Sequence, residues 1–431
     1  MSQGKLPRVL VISSVNPLKG TGTDAYNFYR ALKNAGIEAD FLTKDPVPGH
    51  PEILYVLPEP RRRTLREHFQ ALRSHYLGRF IGQKGEHSFD YGREENPPVD
   101  PRLITRRITK PYDVVFIVFW YRLLSYRSVE AIYDKLHCQI HFRCPDNHPV
   151  AGGCHFIGDC PRYAEGCGFC PGLRDGSAHD FTASNILERK RILEKVKPIV
   201  YGNTHMQRIH ARGALLKRYD RLETVYPLVD NAFFHPIPKE EARKQLGIDP
   251  SKRFVLFFGA NSLTEERKGM SYLINALKVF KSSIRDKADE VLLLVAGHHA
   301  GTLLESLPFE TRNLGYIPFK DLPMVYSAAS AFLCPSTDDA GPSMVNQALS
   351  CGTPVIAFEI GTALDMVLGH NTGYCAKLRD SKDFAKGILG LFNASPEEYA
   401  AICGACRDIA LERTTEESFV ENFLSVYRKY Q

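Results

Sequence analysis

The segment Phe332–Phe358, FLCPSTDDAGPSMVNQALSCGTPVIAF, leaves little freedom in what can surround it. An apolar run from Phe332 to Cys334 stops at Pro335-Ser336, and acids, Gly341-Pro342, a helical patch and a second apolar run follow. Met344, Val345, Ala348 and Leu349 recur at helical spacing. Pro342 stands where a first-turn proline is tolerated, Gly352 where a C-cap glycine belongs, and Pro354 prevents the helix from continuing. The pattern predicts strand, loop, short helix and a second strand over Val355–Phe358. A helix beginning near Ser343–Val345 leaves backbone N–H groups without partners, and with the helix dipole such an end favours phosphate.

The rest of the chain repeats the strand-and-helix alternation. Residues 8–13 read as a buried parallel strand, a loop with Gly20 and Gly22 follows, and apolar positions Ala25, Phe28, Leu32 and Ala35 predict a helix over about 24–35. Glu38–Thr43, Tyr112–Trp120, Gln139–Phe142 and Ile199–Asn203 read as further strands. Further on, the apolar runs Arg253–Phe258 and Val291–Gly297 open a second series, with Gly259, Arg267, Lys268 and Gly269 after the first of them. Two βα series in one chain imply an α/β protein of two Rossmann-like domains, which bind ligands at the carboxyl ends of their strands. A helix over Leu65–Ile81, with Phe69, Leu72, Tyr76 and Phe80 on one side and Arg66, Arg73 and Arg79 elsewhere, suits either a membrane surface or an insertion packed on its own domain.

Composition narrows the partners. The 431 residues carry a net charge of +6, which permits an acidic ligand or an anionic membrane surface without calling for nucleic acid. No apolar run is long enough to span a membrane, and the short run at the start reads as a strand rather than a signal peptide. Eleven cysteines without a secretory signal point to a reducing, cytoplasmic setting. Cys154, Cys160, Cys167 and Cys170 have the spacing C-x(5)-C-x(6)-C-x(2)-C. The C-x-x-C can chelate one ion and the other two thiolates can complete a tetrahedral structural zinc site; disulfides or free thiols are the alternatives. Cys138, Cys144 and His155 are reserve ligands, and the second C-x-x-C, Cys403 and Cys406, falls in a helical stretch and reads as packing.

These residues carry a resemblance. The run Pro335-Ser336, Asp338-Asp339, Pro342, Gln347-Ala348-Leu349 and Cys351-Gly352-Thr353-Pro354-Val355 is similar to the donor-sugar signature of family 4 retaining glycosyltransferases, which have the GT-B fold. That family carries two glutamates eight residues apart where this chain has Asp339 and Gln347. Asp146, Gly152, Gly153, Cys154, His155, Cys160, Cys167, Cys170, Pro171 and Leu173 resemble the T-G-G-C-H segment of a colanic-acid-type subgroup, with Ala151 for the threonine, Phe156 for the tyrosine and Pro145 for a histidine before Asp146.

The resemblance implies two Rossmann-like domains facing a cleft: an acceptor-side domain over 1–225 with a Cys-rich insertion at 138–173, a donor domain over 226–414, and a terminal helix from 415 crossing back to the first domain. It implies a donor diphosphate held by Gly259, Arg267, Lys268, Gly341 and the amides of Ser343, Met344 and Val345, with Gln347 on the ribose and Asp339 on the transferred sugar. Asp146 then faces the acceptor hydroxyl, with His148 and His155 sharing that role beside the Gly20–Gly22 loop. The partners implied are a nucleotide-diphosphate sugar and a saccharide acceptor, lipid-linked at the inner face of the membrane in surface polysaccharide synthesis, with no divalent metal required for catalysis. A nucleotide-sugar epimerase and a non-catalytic nucleotide-sugar-binding scaffold are the alternatives.

Overall fold

The computed structural model describes residues 5–18, 20, 22–58, 69, 72, 89–90, 92–174, 176–298 and 301–431. The chain forms two compact units, one of Met1–Gly202, Met206–Val225 and Phe419–Gln431, the other of Asn203–His205 and Tyr226–Ser418. The helix expected over 65–81 lies outside the described residues, apart from Phe69 and Leu72.

The first unit is built on seven strands: β1 (Val9–Ser13), β2 (Ala39–Thr43), β3 (Leu54–Tyr55), β4 (Val114–Phe119), β5 (Gln139–Arg143), β6 (Ile199–Tyr201) and β7 (Leu222–Glu223). They lie in the order β3-β2-β1-β4-β5-β6-β7, and every pair is parallel. A parallel sheet needs crossovers that cover both its faces, so its strands read as unbroken apolar runs. Val9, Leu10, Val11 and Ile12 are accordingly all buried. The order reverses between β1 and β4, and the loops leaving these two strands flank that switch point.

The second unit has β8 (Phe254–Ser262), β9 (Val291–His298), β10 (Glu310–Gly315), β11 (Ala331–Cys334), β12 (Val355–Phe358) and β13 (Gly373–Ala376), ordered β10-β9-β8-β11-β12-β13. Its pairs are also parallel. Alternate residues feed two cores. Val255 and Phe257 of β8, Leu292 and Leu294 of β9, and Val355 and Ala357 of β12 belong to one. Phe254, Leu256, Phe258, Leu293, Ile356 and Phe358 belong to the other. This period-two division is what a strand buried on both faces requires.

The strands expected from the sequence are present with shifted ends. Tyr112–Trp120 contracts to Val114–Phe119, while Arg253–Phe258 extends to Ser262. The first helix starts at Gly22 and ends at Asn34. Cys403 and Cys406 lie in the helix Pro396–Arg413, where Cys406 is buried. The last helix, Glu416–Lys429, packs Phe419 and Phe423 against Phe116 of β4, with ring centroids 6.1 and 6.0 Å apart. Asn422 Nδ2 donates to the Thr224 carbonyl at 2.7 Å, and Lys429 pairs with Glu223 at 2.6 Å.

Trp120 is the one tryptophan of the chain and is buried in the first unit. Phe423→Ala should therefore lower the stability of that unit by about 3–5 kcal/mol, read as an earlier urea transition in Trp120 fluorescence. An unshifted transition would show that the terminal helix does not stabilise this unit.

Candidate functional site

In the second unit the loops after β8 and β11 meet. The turn Glu266–Lys268 follows β8, and Gly269 ends it at φ +72. A Cβ at Gly269 would lie 1.9 Å from the Pro335 carbonyl oxygen, so only glycine lets these loops approach. The Thr337 N–H donates to the Arg267 carbonyl at 2.7 Å and fastens the two loops together. Lys268 Nζ then stands 2.6 Å and Arg267 Nη1 3.1 Å from Asp339 Oδ2. Asp339 Oδ1 accepts from the Gly341 N–H at 3.0 Å. Burial raises the Asp339 pKa, and Lys268 and Arg267 more than offset this, holding it below the ordinary carboxylate range.

The helix over Ser343–Ser350 begins beside this cluster, with Pro342 as its N-cap rather than its first residue. No side chain caps it. Val345, expected to offer its amide to phosphate, already donates to the Pro342 carbonyl at 3.0 Å. The helix start thus presents Ser343 and Met344 instead. Gly259 lies under Met344, whose Cε would be 2.7 Å from a Cβ at that position. Gln347 Oε1 accepts from the buried Tyr326 hydroxyl at 3.1 Å, an arrangement that fixes the amide and that the sequence did not disclose.

In the first unit the loop after β5 carries a different constellation. Asp146 Oδ1 accepts from the His148 N–H at 2.9 Å and Asp146 Oδ2 lies 2.7 Å from His155 Nδ1. His148 Nε2 lies 3.0 Å from Asp90 Oδ2. The two imidazoles stack, with centroids 5.0 Å apart and an interplanar angle of 20°. Tyr121, just past β4, meets both rings edge-on. Burial lowers the His155 pKa, but the hydrogen bond and charge of Asp146 outweigh it and raise the value above the ordinary one. The Asp90 carboxyl is held low by His148 despite burial that raises it.

The array rests on a buried frame. The helix Phe181–Val196 starts at Asp180, whose side chain accepts from Thr182 and Ala183. This helix carries Arg189, which pairs with the buried Glu94 at 2.7 Å and donates to the His148 carbonyl at 2.6 Å and to the Ala151 carbonyl. Asn185 Nδ2 donates to the Gly152 carbonyl at 2.8 Å. Arg189 thus has a carboxylate and two carbonyls as partners, which is what makes a buried ion pair tolerable. Gly20 sits in the turn after β1, and Gly22 opens the helix that follows. Asp24 of that helix pairs with Arg143 at 3.1 Å.

The sequence singled out Asp146, His148 and His155, and the structure brings these three together. It did not single out Asp90 or Tyr121, which lie 56 and 25 residues before Asp146 and belong to no local motif. Cys154, Cys160, Cys167 and Cys170 line one small cavity, from which Cys138 and Cys144 are absent. No disulfide joins any of the eleven cysteines.

Comparison with known proteins follows this division. Residues 238–404, inside the second unit, match the family model described as Glycosyl transferases group 1. D-inositol 3-phosphate glycosyltransferase 1 of Catenulispora acidiphila is 27% identical over 221 residues, 48% of this chain and 52% of that protein. The D-inositol 3-phosphate glycosyltransferase of Segniliparus rotundus is 29% identical over 238 residues, 53% of this chain and 51% of its own. The chain therefore spans about half the length of the curated relatives it matches. Sucrose-phosphate synthase of Thermosynechococcus elongatus superposes with a TM-score of 0.67 at 17% identity, covering 98% of this chain and 99% of its own. Anabaena HepE, solved with UDP and glucose, gives 0.61 at 15% identity, covering 98% and 100%. The fold is thus GT-B, α/β with two Rossmann-like parallel sheets, and the matched segment is similar to group 1 glycosyltransferases.

The depressed Asp339 pKa sets a pH signature. Its stabilisation is complete above the unfolded value of about 3.9 and is lost as pH falls through the lower folded value. Asp339→Asn should melt lower than the parent at pH 6, with the gap narrowing toward pH 3. Melting curves that stay parallel across that range would show that Lys268 and Arg267 gain nothing from this carboxylate.

Proposed function

We propose that the chain is a retaining glycosyltransferase that moves a hexosyl group from a nucleotide-diphosphate sugar to a saccharide acceptor. One observation carries the reading: inside the segment similar to group 1 glycosyltransferases, Lys268 and Arg267 converge on Asp339 beside an uncapped helix start. Two cations, the amides of Ser343 and Met344 and a helix dipole form a field suited to a diphosphate. The same groups offset charge as the nucleoside diphosphate departs, so the reading asks for no catalytic divalent ion.

The diphosphate competes with Asp339 for the two cations. In this proposal donor binding draws Lys268 and Arg267 toward phosphate and turns the carboxylate to the transferred sugar. Gln347, its oxygen held by Tyr326, offers its amide N–H groups to the ribose. For the acceptor, the resemblance supports Asp146 as the group that faces the attacking hydroxyl, with His148 and His155 sharing that role. The hydroxyl adds on the face the diphosphate leaves, and its proton passes to the departing phosphate. The resemblance supports a lipid-linked saccharide acceptor at the inner face of a membrane, in surface polysaccharide assembly. The contact proposed there is peripheral; no helix among the described residues is long and apolar enough to cross a membrane. The names of the curated relatives add D-inositol 3-phosphate as an acceptor to try, and the HepE complex makes UDP the first nucleotide.

The test is a thermal-shift panel of UDP, GDP, ADP and dTDP, since a ligand of the folded state raises its melting point, followed by turnover with the matching nucleotide sugar. Asp146→Asn should lower kcat by about 10²-fold or more with the donor-induced shift unchanged. Binding without turnover on any acceptor would favour the scaffold reading, and conversion of the nucleotide sugar without acceptor the epimerase.

A further inference from the structure

The glycosyl-transfer reading leaves the four-cysteine cavity unused. Cys154, Cys160, Cys167 and Cys170 line it with apolar neighbours such as Phe89 and Ile157. They come from three separate turns, and the backbone works to bring them there. Gly166, Cys167, Gly168 and Phe169 follow one another at φ +103, +62, +75 and +44. Left-handed backbone at a cysteine and a phenylalanine is sparsely populated and persists where the surroundings impose it. Gly152 packs so closely that a Cβ there would lie 3.0 Å from Cys167 Sγ and 2.6 Å from the Thr182 carbonyl oxygen.

The thiols are also poorly placed to be ordinary surface cysteines. The Gly152 amide hydrogen-bonds the Cys167 sulfur and the Gly172 amide the Cys170 sulfur, so both side chains are held toward the cavity's own backbone.

We propose that Cys154, Cys160, Cys167 and Cys170 are the ligands of one structural zinc ion that ties down the loop carrying Asp146, His148 and His155. The donor set suits zinc, which takes four thiolates tetrahedrally at about 2.3 Å. Among the described residues no three His, Cys, Asp or Glu side chains are drawn together as a ready-made metal site. The four thiols nevertheless share the lining of one small cavity. The consequence for the neighbouring array is direct, because Cys154 precedes His155 in the chain and the Asn147 N–H donates to the His155 carbonyl at 2.9 Å. Of the paired glycines before Cys154, Gly152 lets the loop approach Cys167 and Gly153 lets it approach Phe89.

Elemental analysis of the full chain, purified without chelator or added metal, should find one zinc per chain. Titrating the native protein with a mercurial should release that zinc as four thiols react, a measurement that needs no variant. Cys167→Ser with Cys170→Ser should lose the zinc and lower the melting temperature, while Cys403→Ser with Cys406→Ser should retain the metal. A chain without metal, or one carrying iron in its place, would overturn the proposal. None of these readouts depends on transferase activity, so their failure is separate from failure of the transferase reading.

Discussion

A parallel sheet cannot close its connections with tight hairpins, and from that constraint the placement of both candidate sites follows. Each strand must be followed by a crossover that returns the chain to the starting edge. All carboxyl ends therefore lie along one edge of each sheet, and the loops leaving them gather there. The loops after β8 and β11 bring Lys268 to Asp339, and those after β4 and β5 bring Tyr121 to His148 and His155. The apolar strands serve as a scaffold whose two buried faces fix where these loops begin.

The charged residues added to that scaffold are balanced locally. Lys268 and Arg267 would repel each other, and Asp339 lies within 3.1 Å of both. In the first unit Asp90 and Asp146 each face one imidazole, so the stacked rings need not carry adjacent uncompensated charge. Both arrangements keep their polar groups ordered in advance.

How much of this the sequence disclosed depends on the distance over which each feature is encoded. The strand–loop–helix–strand at 332–358 is local: prolines, glycines and two apolar runs specify it, and the structure follows it to within a residue at most boundaries. Lys268 is legible through the family's Lys-Gly pair, which Lys268-Gly269 matches, and Arg267 stands beside it. The Val345 amide donates to the Pro342 carbonyl, and a single turn hydrogen bond of that kind leaves no trace in composition. Asp90 reaches His148 across 58 residues, and Tyr326 reaches Gln347 across 21 through the packing of separate helices. Pairings of that kind are set by tertiary approach, which periodicity does not encode.

The central claim is that the loops after β8 and β11 hold a nucleoside diphosphate. Calorimetric titration of the nucleotide that gives the largest thermal shift, into the parent chain and into Lys268→Ala, tests it most directly. The account predicts a single site on the parent and at least tenfold weaker binding to the variant, since one lost charge-assisted hydrogen bond is worth about 1.5–3 kcal/mol. Equal affinity for the two proteins would place the diphosphate elsewhere and contradict the account.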